Sequence, residues 1–414
     1  MDHTHLSAQA AQAAGRFTDK RILLWGYGRE GKSTERFLRE YSHPAQITVF
    51  EGKPEELTQE RIAACDYIIK SPGIPYFSES EKLTSQTEIF LQAFREQTIG
   101  VTGTKGKSTT SSMLASVLGA CTGRRTLLMG NIGLPCLDYF GEMEEDTIAV
   151  MELSCHQLAN ARTAPHIGVF LNLYEEHLDY YHTLDAYFAA KAHIARCQKV
   201  GDFFYCGENV PEIECASERT VIKPDPARET PGMKLYGAHN QLNALFVRTI
   251  AERHFGCPSD AVTQALQDFE ALPHRMHPVG RYGGLDWYDD SISTIPEAAI
   301  QAASSIPGVE TLLIGGMDRG IHYGILEDFI CAHPELQFVC MYATGARIAR
   351  ELEERGALPA NVHITEDLKQ AVEKAAQITA SGRGVALSPA AASYGYFKNF
   401  EERGDAFAEL VKKL

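Results

Sequence analysis

The sequence predicts an α/β protein of three domains, and three observations support this. Apolar segments typical of buried strands alternate with helical patterns along most of the 414 residues. Glycine-rich turns follow two of these strands, at Gly26 and Gly103. A further set of strands and helices follows Ala271. We therefore expect an N-terminal Rossmann-like domain (1–97), a central P-loop ATPase-type parallel sheet (98–271) and a C-terminal Rossmann-like domain (272–414).

Composition excludes several classes of protein. The formal net charge of −15 argues against a dedicated nucleic-acid binder, which more often carries a basic patch. The ten cysteines include no C-x-x-C pair, so we expect free thiols rather than a zinc site. The N-terminus lacks a signal-peptide pattern, and no apolar run approaches the ~18 residues of a membrane span. We expect a cytoplasmic protein without a membrane span.

The first predicted domain opens with a strand, Ile22 to Trp25, that leads into the turn Gly26-x-Gly28-x-x-Gly31. This G-x-G-x-x-G pattern between strand and helix is typical of nucleotide binding. Glu51 ends the second predicted strand, and the third lies in "CDYIIKSPGIP". The glycine pattern leaves three readings open: a nicotinamide site, a site for another nucleotide such as a uridine diphosphate, and a plain tight turn.

The central predicted domain opens with "TIGVTGTKGKS". Gly106, Lys107 and Ser108 match the end of a phosphate-binding loop, while Val101 stands where the first glycine is usual. Backbone N–H groups at the following helix N-terminus favour phosphate binding. We expect Lys107 to reach the β- and γ-phosphates and the Ser108 hydroxyl to bind Mg²⁺.

Three further polar residues follow in the same segment. Glu152 and His177 come after the strands in "DTIAVME" and "HIGVFLN", at the sheet edge where open α/β sheets bind ligands. Glu152 is the natural Mg²⁺ ligand and His177 a less usual one. Lys191 stands among alanines in "DAYFAAKAHIARC". A buried ammonium there needs a partner or a modification.

The last predicted domain contains the strand-like segments "LDWYDDS", "ETLLIGG", "QFVCMYA", "VHITE" and "GVALSP". With the segments above, the stretches "GVTGTKGKST", "GNIGLP", "NLYEEHLDYYHTLDAYFAAK", "GAHNQLNA", "YDDSISTIPEA" and "SPAAASYGYFKNFEERGDAF" complete an ordered series of motifs. In this order and spacing, the chain from Gly26 to Gly404 resembles the Mur ligase family of peptidoglycan synthesis. The last stretch is most similar to the glutamate-adding branch of that family.

The resemblance implies roles for particular residues. Its implied UDP-substrate residues are Arg29, Glu30, Glu51, Ser71, Pro72, Gly73, Asn131, Ser154, Gln157 and Tyr187. Its implied ATP residues are Gly103, Thr104, Lys105, Gly106, Lys107, Ser108, Thr109, Asn240, Asn243, Arg275 and Asp290. Its implied amino-acid residues are Thr294, Arg319, Ser393 and Phe400. Its implied metal ligands, for two Mg²⁺ sites, are Ser108, Glu152, His177 and Lys191 as a carbamate, and Lys107, His177 and Lys191 are its implied catalytic residues.

The implied reaction joins glutamate to UDP-N-acetylmuramoyl-L-alanine at the expense of ATP, through an acyl phosphate. The third domain would carry the amino-acid site and close over ATP, and the protein would be a monomer. Departures from the family pattern are Glu176 for Asp, Cys155 and His156 for Ser and an aromatic, Ile292 for Lys, Ile295 for Asn, and Arg319 for Lys. Three alternatives remain: a folylpolyglutamate-type ligase, which would lack the first domain; a ligase that adds L-glutamate; and a non-catalytic nucleotide-binding regulator.

Overall fold

The computed structural model describes residues 6–76, 78, 80–176, 178–356 and 358–414. Three β-sheets follow one another along the chain. No helix in these ranges is long and apolar enough to cross a membrane.

The first sheet has four parallel strands in the order β2-β1-β3-β4. Its strands are Arg21–Trp25 (β1), Gln46–Phe50 (β2), Tyr67–Lys70 (β3) and Leu83–Thr84 (β4). Its helices are Ala8–Gly15 (α1), Arg29–Phe37 (α2), Gln59–Ala64 (α3) and Gln86–Phe94 (α4). The apolar run of β1 is buried at four successive positions, as expected of an inner parallel strand.

The second sheet has six parallel strands in the order β10-β9-β8-β5-β7-β6. Its strands are Thr98–Thr102 (β5), Thr126–Gly130 (β6), Ile148–Glu152 (β7), Ile167–Phe170 (β8), Phe203–Gly207 (β9) and Glu218–Ile222 (β10). Its helices are Lys107–Thr122 (α5), Cys155–Leu158 (α6), Leu178–Tyr181 (α7), Leu184–Arg196 (α8), Ala238–Phe255 (α9) and Ser259–Asp268 (α10). Because β5 lies between β7 and β8, the loops after these three strands meet at one edge, where such sheets bind ligands.

The third sheet has six strands in the order β11-β12-β16-β13-β14-β15. Its strands are His277–Tyr282 (β11), Leu285–Asp289 (β12), Val309–Ile314 (β13), Gln337–Cys340 (β14), Val362–Ile364 (β15) and Gly384–Leu387 (β16). Its helices are Pro296–Ser305 (α11), Gly324–Ala332 (α12), Tyr342–Glu354 (α13), Leu368–Ile378 (α14) and Phe400–Val411 (α15). All pairs are parallel except β11 with β12, which is antiparallel with an irregularity between Pro278 and Gly280.

The predicted fold class, three α/β domains built on parallel sheets, is confirmed, with β11 as an added antiparallel edge. By its internal contacts the chain divides into two compact units. One comprises Met1–Gly232 with His239–Phe269 and holds the first two sheets, and the other comprises Met233–Ala238 with Glu270–Leu414. We refer to them as unit 1 and unit 2. The exact boundaries 97/98 and 271/272 stay predictions.

Candidate active site

The phosphate-loop residues of unit 1 connect β5 to α5. Gly103 and Gly106 adopt φ of 153° and 83°, conformations that glycine takes without strain. The Lys107 ammonium donates hydrogen bonds of 2.9 Å to the carbonyl oxygens of both Gly103 and Thr104. Burial lowers the pKa of Lys107. The loop therefore holds its lysine folded back over the backbone, beside the helix N-terminus where an anion is favoured.

The loop after β8 fixes the conformation of the phosphate loop. The Asn172 side-chain oxygen accepts from the Lys105 N–H at 2.9 Å, and its amide nitrogen donates to the Lys105 carbonyl at 3.1 Å. The Thr104 N–H donates to the Asn172 carbonyl at 2.9 Å. Lys105 also forms an ion pair with Glu176, with Nζ and Oε1 2.8 Å apart. Asn172 and Glu176, which both follow β8, thus set the position of loop residues 104 and 105.

Lys191 lies on α8 with only 1% of its surface exposed. Its ammonium donates to the Gly103 carbonyl at 2.8 Å and to the Thr102 hydroxyl at 3.4 Å. It also lies 4.8 Å from the centre of the Tyr187 ring. Burial, with the nearby Lys107 cation, lowers the pKa of Lys191 to about 7. The prediction of a buried lysine at this position is confirmed, and the amine is poised to lose its proton near neutral pH.

Glu152, the last residue of β7, is 1% exposed. Asn131 donates to its Oε1 at 2.7 Å, whereas Oε2 has no hydrogen-bond partner in the described part of the chain. A buried carboxylate oxygen without a donor is costly, and a cation offsets that cost. Glu152 therefore fits the ligand role. His177 lies outside the described residues.

Two asparagines on α9 lie next to the phosphate loop. Asn240 and Asn243 are buried, and the Asn243 amide donates to the Asn240 side-chain oxygen at 3.2 Å. A Cβ atom on Gly106 would come within 3.0 Å of Asn243 Oδ1, so only glycine lets the loop approach this closely. The structure brings Asn243 against the phosphate loop and Asn240 against Asn243, and their binding of ATP stays a prediction.

A second feature of unit 1 is a cavity of about 370 Å³ between the first two sheets. Eight of the ten predicted UDP-substrate residues line it: Arg29, Glu30, Ser71, Pro72, Gly73, Asn131, Ser154 and Gln157. The strand β2 ends at Phe50, one residue earlier than predicted, so Glu51 lies exposed just beyond it. Tyr187 is buried beside Lys191. Neither of these two residues is part of the lining.

Lys70, which lies behind the lining, and two lining residues fix the shape of this cavity. The nearly buried Lys70 donates to the carbonyl oxygens of Ser71, Pro72 and Ile74, at 2.7–3.4 Å, and so fixes the bend that follows β3. Gln157 donates to Glu30 at 3.0 Å, and burial raises the pKa of the Glu30 carboxyl.

His156 also lines the cavity, with its ring 4.3 Å from that of Tyr180. In the sequence, His156 was noted only as a departure from the family pattern. Its position next to the predicted substrate residue Gln157 in "SCHQL" was a signal that it could line the same site.

In unit 2, the carboxylate of the predicted residue Asp290 is buried and accepts several hydrogen bonds. Its carboxylate accepts from the Met276 N–H at 3.1 Å, the Ser388 hydroxyl at 2.7 Å and the Ser293 hydroxyl. Burial raises its pKa to about 6, against the effects of these bonds and of Arg275. Asp290 thus joins the loops after β12 and β16.

The four predicted amino-acid residues lie on loops at the carboxyl edge of the third sheet or at the start of α15. The exposed Arg319 donates to the Thr294 carbonyl at 3.4 Å. Ser393 is buried, and its carbonyl accepts from the N–H of Phe397 at 3.0 Å. Phe400 begins α15 with its ring 6.1 Å from His274. Thr294 and Arg319 are brought into contact, while the grouping of all four around one ligand stays a prediction.

Comparison with known proteins identifies the family. A model of the Mur ligase middle domain matches residues 101–214. A UDP-N-acetylmuramoylalanine--D-glutamate ligase from Streptococcus agalactiae serotype III (strain NEM316) is 31% identical over 451 residues, covering 96% of this chain and 98% of the relative. The chain belongs to the Mur ligase family. The phosphate loop, Glu152 and Lys191 all lie inside the stretch that matches the family's middle domain.

The chain is also similar to a second glutamate-adding relative and to a solved Mur ligase structure. A UDP-N-acetylmuramoyl-L-alanine--L-glutamate ligase from Salinispora tropica is 28% identical, covering 95% of this chain and 97% of the relative. The crystal structure of MurF ligase from Thermotoga maritima in complex with ADP aligns over all of both chains with a TM-score of 0.63 and 15% identity. This last similarity supports the fold over the whole chain.

Proposed function

We propose that this Mur ligase adds D-glutamate to UDP-N-acetylmuramoyl-L-alanine in an ATP-dependent step of peptidoglycan precursor synthesis. The geometry that carries the proposal is at the edge of the second sheet. There, the side-chain nitrogens of Lys107 at the phosphate loop and of Lys191 on α8 lie within electrostatic range of the buried Glu152 carboxylate. This arrangement suits transfer of a phosphoryl group. The name of the 31% identical relative supports the substrate and the amino acid.

The proposed reaction has two steps. The terminal alanine carboxylate attacks the γ-phosphorus of ATP, which releases ADP and forms an acyl phosphate. The uncharged amine of glutamate then attacks the acyl carbon, and the tetrahedral intermediate expels phosphate as the amide forms. The protein contributes position and charge, because little covalent chemistry falls to it in such transfers. Lys107 neutralises phosphate oxygens, and loop N–H groups orient them.

The metal-ligand set fits Mg²⁺. Glu152 supplies an oxygen that lacks a donor, and Ser108 is the second residue of α5, in the phosphate loop's first helical turn. Bound Mg²⁺ would neutralise charge on the phosphate oxygens. At a pKa of about 7, much of Lys191 is an uncharged amine, which can add to CO₂ to give a carbamate and release a proton. A carbamate replaces a buried cation with an anionic oxygen ligand, so we assign Lys191 that role.

We assign the UDP end of the substrate to the cavity lined by Arg29, Ser71 and Asn131. The glycine turn at Gly26 and Gly28 leaves backbone free to approach a diphosphate. We propose ATP, UDP-N-acetylmuramoyl-L-alanine and glutamate as the partners and the cytoplasm, where ATP is available, as the location. The monomeric state stays a prediction.

An assay with both enantiomers tests the proposal. The chain is incubated with ATP, Mg²⁺ and UDP-N-acetylmuramoyl-L-alanine plus either D- or L-glutamate, and phosphate release and the mass of the product are measured. We expect amide product with D-glutamate, and loss of turnover in a folded Lys107→Ala variant but not in Lys199→Ala, which changes an exposed lysine. Absence of product with both enantiomers refutes the ligase proposal. Product with L-glutamate alone would instead place the chain with the activity named for the Salinispora relative.

A further inference from the structure

Arg403, on α15, is a cation with no exposed surface. Its guanidinium donates from Nε to the Ser291 hydroxyl at 3.0 Å, from Nη2 to the Ser291 carbonyl at 2.7 Å and from Nη1 to the Ala391 carbonyl at 3.0 Å. Burial lowers the pKa of Arg403 to about 10, which leaves it charged at neutral pH. Its three direct acceptors are uncharged, and the nearby carboxylates of Asp289 and Asp290 only partly offset the cost of burying the charge. An apolar side chain would fill a core without that cost.

The groups that Arg403 holds lie on different loops of unit 2. Ser291 follows β12, and its hydroxyl donates in turn to the Phe400 carbonyl at 2.8 Å. Ala391 follows β16, and the next residue, Ala392, accepts from the Met317 N–H at 2.8 Å. A Cβ on Gly316 would come 3.1 Å from Nη1 of Arg403, so the loop after β13 also packs on the guanidinium.

One guanidinium therefore connects four segments that converge at the carboxyl edge of the third sheet. Each segment carries one of the predicted amino-acid residues. Thr294 lies on the loop after β12, Arg319 on the loop after β13 and Ser393 on the loop after β16, and Phe400 begins α15. A shift of any of these segments would displace one of the four residues predicted to surround the amino acid. The fork of an arginine fixes two partners at set angles, whereas a lysine is a single point charge.

We propose that Arg403 is a positioning residue that sets the shape of the acceptor pocket and thereby the affinity for glutamate and the preference between its enantiomers. This inference rests on the proposed glutamate-adding activity. Arg403 itself contacts no substrate in the proposed role. It acts through the backbone at Ser291 and Ala391, which displays the neighbouring recognition groups.

The test compares Arg403→Lys and Ser291→Ala with Arg383→Lys, which changes an arginine that is half exposed and paired with Glu310. Michaelis constants are measured for glutamate, ATP and the UDP substrate. We expect Arg403→Lys to raise the glutamate KM about ten-fold or more, by loss of hydrogen bonds to a charged group, with the other two constants within about two-fold. The D-to-L ratio should fall. Ser291→Ala, which keeps the two carbonyl bonds, should give a smaller rise, and Arg383→Lys none.

Wild-type enzyme assayed alongside separates the two ideas. If wild-type enzyme makes no glutamyl product, the proposed function fails. If it does, but Arg403→Lys leaves the glutamate KM unchanged or raises all three constants equally, Arg403 is only structural and the inference is overturned.

A second variant, Arg403→Ala, is assayed with and without methylguanidinium. A fall of the glutamate KM on addition supports the inference, and a folded variant whose glutamate KM is raised but does not respond counts against it. If Arg403→Ala does not fold, Ser291→Ala decides by the same split between constants.

Discussion

At the scale of single residues, Asp290 shows how burial and hydrogen bonding compete. Its pKa is raised to about 6 from 3.8 because burial outweighs three hydrogen bonds and the charge of Arg275. Between these two values the folded chain binds more protons at this site than the unfolded chain does. The contribution of Asp290 protonation to the free energy of unfolding is therefore fully present below pH about 4 and is lost as the pH rises through about 6.

This predicts a pH signature for Asp290→Asn. The amide mimics the protonated carboxyl, so the variant lacks the titration. The unfolding free energy of wild type minus that of the variant should decrease by on the order of 1–3 kcal/mol from pH 4 to pH 8. Urea unfolding at several pH values measures it. Asp146→Asn, at an exposed position, should show no such fall. A difference for Asp290→Asn that stays constant over this range would contradict the raised pKa.

Residues differ in how well sequence alone predicts their roles. Lys107 and Ser108 were predictable because Gly-Lys-Ser between a strand and a helix is a local signal. Asn172 and Arg403 lie within stretches that carry the family resemblance, but their roles were not predictable, since their partners lie 67 and 112 residues away. Only the folded structure brings such partners together.

At the scale of secondary-structure elements, the strands that the sequence predicted are mainly those with continuous apolar runs, such as β5, β7 and β8. The edge strands β10 and β11, with the sequences "ERTVI" and "HPVGRY", are largely exposed and show neither such a run nor clean alternation. β9 is a short apolar run, which periodicity cannot distinguish from part of a helix. Sequence thus identified β5, β7 and β8, which position the site, and missed β9, β10 and β11, which do not.

The loop after β8 allows a prediction at this scale. Asn172→Ala removes the partner of both Lys105 backbone groups and leaves the loop less ordered. Leaving such a donor unsatisfied costs about 1–3 kcal/mol, so we expect the ATP KM to rise roughly ten-fold while the UDP-substrate KM changes less than about two-fold. Initial-rate kinetics with each substrate varied measure both constants.

Asn209 provides a matched control for this prediction. Its side chain makes the same pair of contacts with the backbone of Leu173, at 3.4 and 2.9 Å. If general loosening of the segment after β8 caused the effect, Asn209→Ala would match it. We expect Asn209→Ala to leave the ATP KM unchanged. Equal effects of the two variants would refute a specific role for Asn172.

At the scale of the whole molecule, three sheets form two compact units. The first and second sheets share unit 1 because side chains bridge them, including the hydrogen bond from Gln157 to Glu30 and the ion pair of Arg36 with Asp138 at 2.6 Å. The alternation of strands and helices along the sequence does not reveal such bridges. Sequence therefore predicts the number of sheets better than the number of compact units.

The division into units predicts that a ligand of one unit stabilises that unit selectively. The chain has two tryptophans, both buried, with Trp25 in unit 1 and Trp287 in unit 2. Trp287→Phe and Trp25→Phe therefore each leave a reporter of one unit.

The proposed UDP-substrate cavity lies within unit 1, and ligand at about 100 times its Kd adds about 2.7 kcal/mol to the state that binds it. With UDP-N-acetylmuramoyl-L-alanine, the Tm from Trp25 fluorescence should rise by several degrees, and the Tm from Trp287 by clearly less. Comparing each variant with and without ligand cancels the cost of the substitution. Equal midpoints and equal shifts from both reporters would show that the chain unfolds as one cooperative body, against this prediction.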